Sequence, residues 1–119
     1  MTVARTERER ALLEAYKTRK VVGGVCAIRN ETTGRTLVYP AADPKGQHNR
    51  FRFSVSTNTC VHAALAADWR SLGPEAFSFR VLEELERGPE QTEAAFRADL
   101  ETLAEIWREK LAGSGTPLY

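Results

Sequence analysis

The chain has few of the features that narrow a function on their own. It holds two cysteines, Cys26 and Cys60, and they lie too far apart for a Cys-x-x-Cys redox or zinc pattern. Two free thiols are therefore expected. No apolar run approaches the roughly 18 residues that span a bilayer, so no membrane partner is expected. The opening stretch, MTVARTERERALLEAYKTRK, is charged throughout and has no apolar signal-peptide core. A cytoplasmic location follows as an expectation. Internal repeats and low-complexity tracts are absent, and the only histidines are His48 and His62. A net charge of +1 gives no large excess of one sign.

A length of 119 residues fits one domain over 1–119, long enough to bury a core without covalent staples. The expected core covers about 22–111, preceded by an N-terminal helix within 1–20 and followed by a mobile tail at 112–119. The small net charge hides an uneven spread. Residues 17–52 hold eight bases against two acids, and residues 68–111 hold eleven acids against six bases. A basic face toward nucleic acid would produce this, and so would an acidic helix packed beside a basic hairpin.

Leu12, Leu13 and Tyr16 recur at helical spacing, which predicts a helix over 4–18. Lys17, Arg19 and Lys20 suit its C-terminus, and Gly23-Gly24 would break it. Two short apolar runs around Asn30-Glu31-Thr32-Thr33-Gly34 predict a β-hairpin, roughly 24–29 and 35–39, with Cys26 and Leu37 looking across it and Pro40 ending the second strand. Residues 41–53 read as a loop or short helical turn, and 54–59 as a further loop. Asn58 or Thr59 can cap a helix over about 60–72, with Leu65, Trp69 and Leu72 as its apolar stripe. The alternating AFSFRVLEEL from Ala76 is a strand of period two. The longest helix lies over 90–111, where Phe96, Leu100, Leu103, Trp107 and Leu111 make one face. The predicted class is α+β: a small three-stranded antiparallel sheet flanked by helices, with an added N-terminal helix.

The passage from Leu65 to Glu83, LAADWRSLGPEAFSFRVLE, resembles the helix–Gly–strand passage of the GIY-YIG nuclease family. The hairpin GGVCAIRNETTGRTLVYPA is similar to that family's opening, and LETLAEIWREKL to its last helix. The likeness covers about 22–111. It implies a domain that cleaves phosphodiester bonds with one divalent metal, using two strand tyrosines, an arginine after the hairpin and a glutamate on the last helix. On the matching positions this chain departs from that set. Cys26 stands for the first tyrosine, Leu37 for the second, Gln47 for the arginine and Ala104 for the metal-binding glutamate. Leu37 has no proton to exchange, Gln47 no charge, and Ala104 no ligand atom. Each lost electrostatic stabiliser costs about two to three orders of magnitude in rate, and a hard cation such as Mg²⁺ needs carboxylate oxygens.

Substitutes are nonetheless at hand. Tyr39 lies two residues beyond Leu37 and so on the same strand face, or is simply a strand-end tyrosine. Glu101, almost one helical turn before position 104, could hold a metal; the simpler reading makes Glu101, Glu105 and Glu109 a solvated stripe. His48 could approach a phosphate or a metal, or be merely exposed. His62 reads as surface. The run from Lys45 to Phe53 interleaves Lys45, Arg50 and Arg52 with Phe51 and Phe53. Cations neutralise phosphates and rings stack on bases, whereas the simpler reading has both phenylalanines anchoring the loop. The leading expectation is therefore a GIY-YIG-like domain without standard nuclease activity, binding DNA or RNA or serving as a scaffold, with no cofactor. An active endonuclease built from Tyr39, Arg50, His48 and Glu101 and using Mg²⁺ or Mn²⁺ is the first alternative. A protein–protein module, for instance a homodimer through the long acidic helix, is the second.

Overall fold

Strand β1, Val22–Asn30, pairs antiparallel with β2, Thr36–Ala41, on one side and with β3, Phe77–Glu86, on the other, in the order β2-β1-β3. The structure, a computed structural model, describes residues 6–11 and 20–119. Residues 7–11 are helical; the rest of the expected N-terminal helix lies outside the described residues.

Asn30 builds the hairpin turn. Its side-chain oxygen accepts from the backbone N–H groups of Thr32 and Thr33 at 3.0 and 3.3 Å, an Asx-type turn, and Gly34 closes it at φ 80°. The resulting register opposes Cys26 to Tyr39 and Ile28 to Leu37, so Cys26 and Leu37 do not face one another. Pro40 does not end β2 but lies within it, tolerated because β2 is an edge strand and a missing N–H need not interrupt a second ladder.

Alternation along the strands gives the sheet two faces. Cys26, Ile28, Leu37, Tyr39 and Phe79 point to one, Val25 and Val38 to the other. Gly23 and Gly24 belong to β1 and break no helix. A Cβ on Gly23 would lie 2.9 Å from atoms of both Leu100 and Phe96, and one on Gly24 would lie 2.6 Å from the Glu83 carbonyl oxygen. Close approach of α3 side chains and of the β3 backbone therefore demands glycine.

The first face is covered by α1, Pro44–Thr57, and α2, Ala66–Leu72. Its core joins Ile28, Phe51, Leu65, Trp69 and Phe77. The segment 41–59, expected as loops, is thus mostly a 14-residue helix. Asp43 caps it, accepting from the Gly46 N–H at 3.1 Å, with Pro44 at the first position. Its buried stripe is thin, only Pro44, Phe51 and Ser54, which is why periodicity does not show it. Asn58 ends this helix in a left-handed conformation rather than starting the next, and its side-chain oxygen accepts from Trp69 Nε1 at 3.0 Å. The expected helix over 60–72 shrinks to a single 3₁₀ turn, Ala63–Leu65, running into α2.

The opposite face is covered by α3, Glu93–Gly113, whose Phe96, Leu100 and Ala104 are buried. Ala104 packs with Val25 and Val38, flanked by Leu103 and Trp107. Arg108 ties the helix to β2 by donating to the Val38 carbonyl at 3.1 and 2.9 Å.

Residues 112–119, expected to be mobile, return to the sheet. Leu118 bridges Thr36 in parallel, with Thr36 N–H donating to the Pro117 carbonyl at 2.9 Å. The Tyr119 hydroxyl donates to Asp68 at 2.6 Å and accepts from the Asn30 amide at 3.0 Å, while the Arg35 guanidinium sits 4.3 Å over its ring. The tail thus ties the hairpin turn to α2. Tyr119→Phe should lower stability by about 1 kcal/mol, read from the midpoint of urea unfolding; an unchanged midpoint would mean that the tail is not fastened there.

Candidate functional site

Where β2, α1 and the segment before α2 meet, Tyr39, Gln47, Arg50, Cys60 and His62 surround a cavity of about 10 Å³, the size of one water molecule. The Tyr39 hydroxyl donates to Gln47 Oε1 in a long 3.4 Å bond. The His62 ring lies 4.8 Å from the Tyr39 ring, tilted by 47°. His62 is therefore half-buried and not the surface residue that its sequence position implied. Nothing local in the sequence signals this, because the contact depends on how the segment after α1 folds back over β2.

Cys26, Tyr39 and His62 are held neutral. Burial pushes the Cys26 thiol up to about 11, so no thiolate forms at physiological pH. Burial, and next the neighbouring Cys26, raise the Tyr39 phenol, against a smaller opposing pull from Arg50. Tyr39 stays protonated and is a hydrogen-bond donor rather than a base. His62 is lowered from its usual 6.5, first by burial and then by the Arg50 charge, and is neutral at pH 7. Arg50, itself exposed at the rim, is the one cation at the cavity.

The sheet separates the positions taken from the family. Cys26, Leu37 and Tyr39 lie on the face under α1, and α1 brings Gln47 to Tyr39. Ala104 lies on the other face, 0% exposed between α3 and the Val25–Val38 pair. Glu101, Glu105 and Glu109 are exposed along α3, and Glu105 is paired with Arg108. His48 is exposed on the flank of α1 away from Arg50, its ring stacked 5.1 Å from Phe79 at 8°. Tyr39, Arg50, His48 and Glu101 are thus not gathered at one point. Among the described residues no group of three or more His, Cys, Asp or Glu could hold a metal ion. With alanine at the position that the resemblance gives to the metal-binding glutamate and a neutral phenol at Tyr39, this donor set does not fit Mg²⁺ or Mn²⁺.

The outer side of α1 has a different character. No acid occurs between Asp43 and Asp68. Lys45, Arg50 and Arg52 are exposed and form no salt bridge among the described residues. Phe51 anchors the helix at 9% exposure, but Phe53, expected to be a second anchor, is 67% exposed. Among the described residues no helix is long and apolar enough to cross a membrane.

Comparison with solved structures returns one that shares this architecture. A mutant of the catalytic domain of intron endonuclease I-TevI superposes with a TM-score of 0.56 at 17% identity, over 81% of this chain and 90% of that one. The chain has a GIY-YIG-like fold, a three-stranded antiparallel sheet with helices on both faces. No protein-family model matches the chain, and no curated protein does.

A carboxylate at position 104 should be rejected for a packing reason. Ala104→Glu would place a charge against Val25 and Val38 and should destabilise the fold by about 3 kcal/mol or more. Urea unfolding that shows a midpoint near that of the native chain would contradict the sealed position. Because His62 binds its proton less readily folded than unfolded, the unfolded chain takes up more protons below pH 6.5. Stability should therefore fall as pH drops from 6.5 toward the lowered value. His62→Phe, which keeps a ring against Tyr39, should flatten the denaturation midpoint across that window; identical pH profiles would refute the burial of His62.

Proposed function

We propose that this chain is a nucleic-acid-binding domain on a GIY-YIG-like scaffold that carries out no metal-dependent phosphodiester cleavage. The reading rests chiefly on one contrast. The exposed surface of α1 keeps three unpaired cations, Lys45 and Arg52 on one flank and Arg50 on the other, and no acid, while the positions that would do chemistry are neutral, apolar or closed. Hydrolysis needs a base, a charge to offset the developing dianion, and a metal clamp. Tyr39 and His62 sit as neutral partners of one another, and Ala104 contributes only packing. Binding needs less: exposed cations free to displace counterions from a phosphate chain.

The test is to incubate the pure protein with plasmid and with single-stranded DNA and RNA, in Mg²⁺, Mn²⁺ or EDTA. Retention without cutting is expected in all three. With three phosphate contacts, affinity should fall roughly ten- to fifty-fold between about 50 and about 200 mM salt. Arg50→Ala and Arg52→Ala should each lessen the salt slope. Metal-dependent cutting that disappears in Glu101→Ala would overturn the proposal in favour of a rearranged nuclease site. Absence of salt-dependent retention on any nucleic acid would remove the binding function.

A further inference from the structure

We propose that Phe53 is a base-stacking residue and that the outer face of α1 takes single-stranded nucleic acid in preference to duplex. The inference rests on the binding function proposed above and adds the class of strand and the residue that selects it.

Phe53 is the most exposed of the large hydrophobic side chains described, at 67%, while Phe51, Phe77 and Phe96 are all at or below 9%. Its place on the helix explains the exposure. At 100° per residue, Phe53 lies opposite the stripe formed by Pro44, Phe51 and Ser54, which faces the sheet. Lys45, Asn49, Phe53 and Ser56 follow one another at spacings of four, four and three, one line along the exposed side. Arg52 is the adjacent residue, and Arg50 flanks the line on the side of the Tyr39 cavity. Lys45 stands about 12 Å from Phe53 along the axis, at 1.5 Å per residue. Ser56 and Thr57 hydroxyls donate to the Phe53 carbonyl at 3.0 and 2.9 Å, which holds the last turn that carries the ring.

The surroundings of Phe53 select the partner. An exposed phenylalanine that served a protein interface would sit among other apolar side chains, since interface cores are depleted in charge. Here the neighbours three and four residues away on the helix are Asn49, Arg50, Ser56 and Thr57, all exposed and polar or cationic, with no acid nearer in sequence than Asp43. A ring with cations around it and no counter-charge matches a strand that offers a π-face and a phosphate together. In a duplex the π-faces are covered by stacking and only the base edges remain open. An unpaired strand leaves a face free for Phe53, while Lys45 and Arg52 take phosphates and Asn49 can bond a base edge.

The test measures binding of one oligonucleotide sequence, as a single strand and as a blunt duplex, to the full chain and to Phe53→Ala, Phe53→Trp and Arg52→Ala. The full chain should bind the single strand more tightly. Phe53→Ala should lose about tenfold in single-strand affinity, with its salt slope and its duplex affinity unchanged. Phe53→Trp should retain affinity, with fluorescence quenched by the single strand and not by the duplex. Arg52→Ala should lower the slope by about 0.7. Single-strand affinity of Phe53→Ala within twofold of the native chain would overturn the inference while leaving the binding function standing. Equal loss on both strands would overturn it too, because it would make Phe53 a wedge into duplex. Absence of binding to either strand by the native chain would overturn the binding function and this inference with it. Phe53 is exposed, so each variant should keep the native unfolding midpoint, which separates a binding loss from a folding loss.

Discussion

Everything in this molecule depends on β1 being buried on both faces. Val25, Cys26, Ala27 and Ile28 are all at or below 1% exposure, a continuous apolar run of the sort expected in the middle of a covered sheet. That burial sets what neighbouring residues can be. At position 26 it leaves a small, uncharged side chain, and the thiol there cannot ionise near neutral pH. At Gly23 and Gly24 it removes the side chain altogether, because side chains of α3 over Gly23 and the neighbouring β3 backbone beside Gly24 come too close for a Cβ. At position 104 it favours alanine, the residue that lets α3 settle on Val25 and Val38.

The ends of this layered core are fastened by polar groups rather than by more apolar surface. Asn30 is fully buried, yet its side chain bonds the turn, Asp68 and Tyr119. A buried amide with every bond made can specify geometry where an apolar side chain would only fill space. It fixes where the hairpin turns, and so the register that sets Tyr39 opposite Cys26. Trp69 does similar work one turn away, packing on Phe77 while its indole N–H reaches Asn58 at the end of α1.

Those two kinds of constraint differ in how plainly a sequence carries them. The hairpin and α3 were legible because each buries a regular stripe, β3 because Phe77, Phe79 and Val81 alternate with other residues in the sequence although only Phe77 is buried, and the resemblance of Leu65–Glu83 to a known passage placed them in order. Helix α1 was not legible, because its buried stripe is thin and Ser54 occupies a core position by bonding the Phe51 carbonyl. The fastened tail was not legible either, since Pro117 and Tyr119 are held by backbone pairing with Thr36 that leaves no side-chain pattern. Among candidate site residues, Gln47 and Tyr39 meet only because α1 is a helix. His62 joins them by a path no local spacing encodes. Glu101 and Ala104 lie across the sheet because helix spacing tells which residues share a face, but not which layer the helix joins.

The interior is thus neutral and closed where the fold family's likeness places chemistry, and the charge lies outside, on α1. Under the proposed function, a surface rather than a cleft carries the binding. Amide chemical-shift changes in the ¹⁵N-labelled protein on adding a short oligonucleotide test this most directly. Changes concentrated in residues 44–57, with α3 silent around Glu101 and Ala104, are the expected result. Changes centred on α3 and β3, with α1 unmoved, would contradict it.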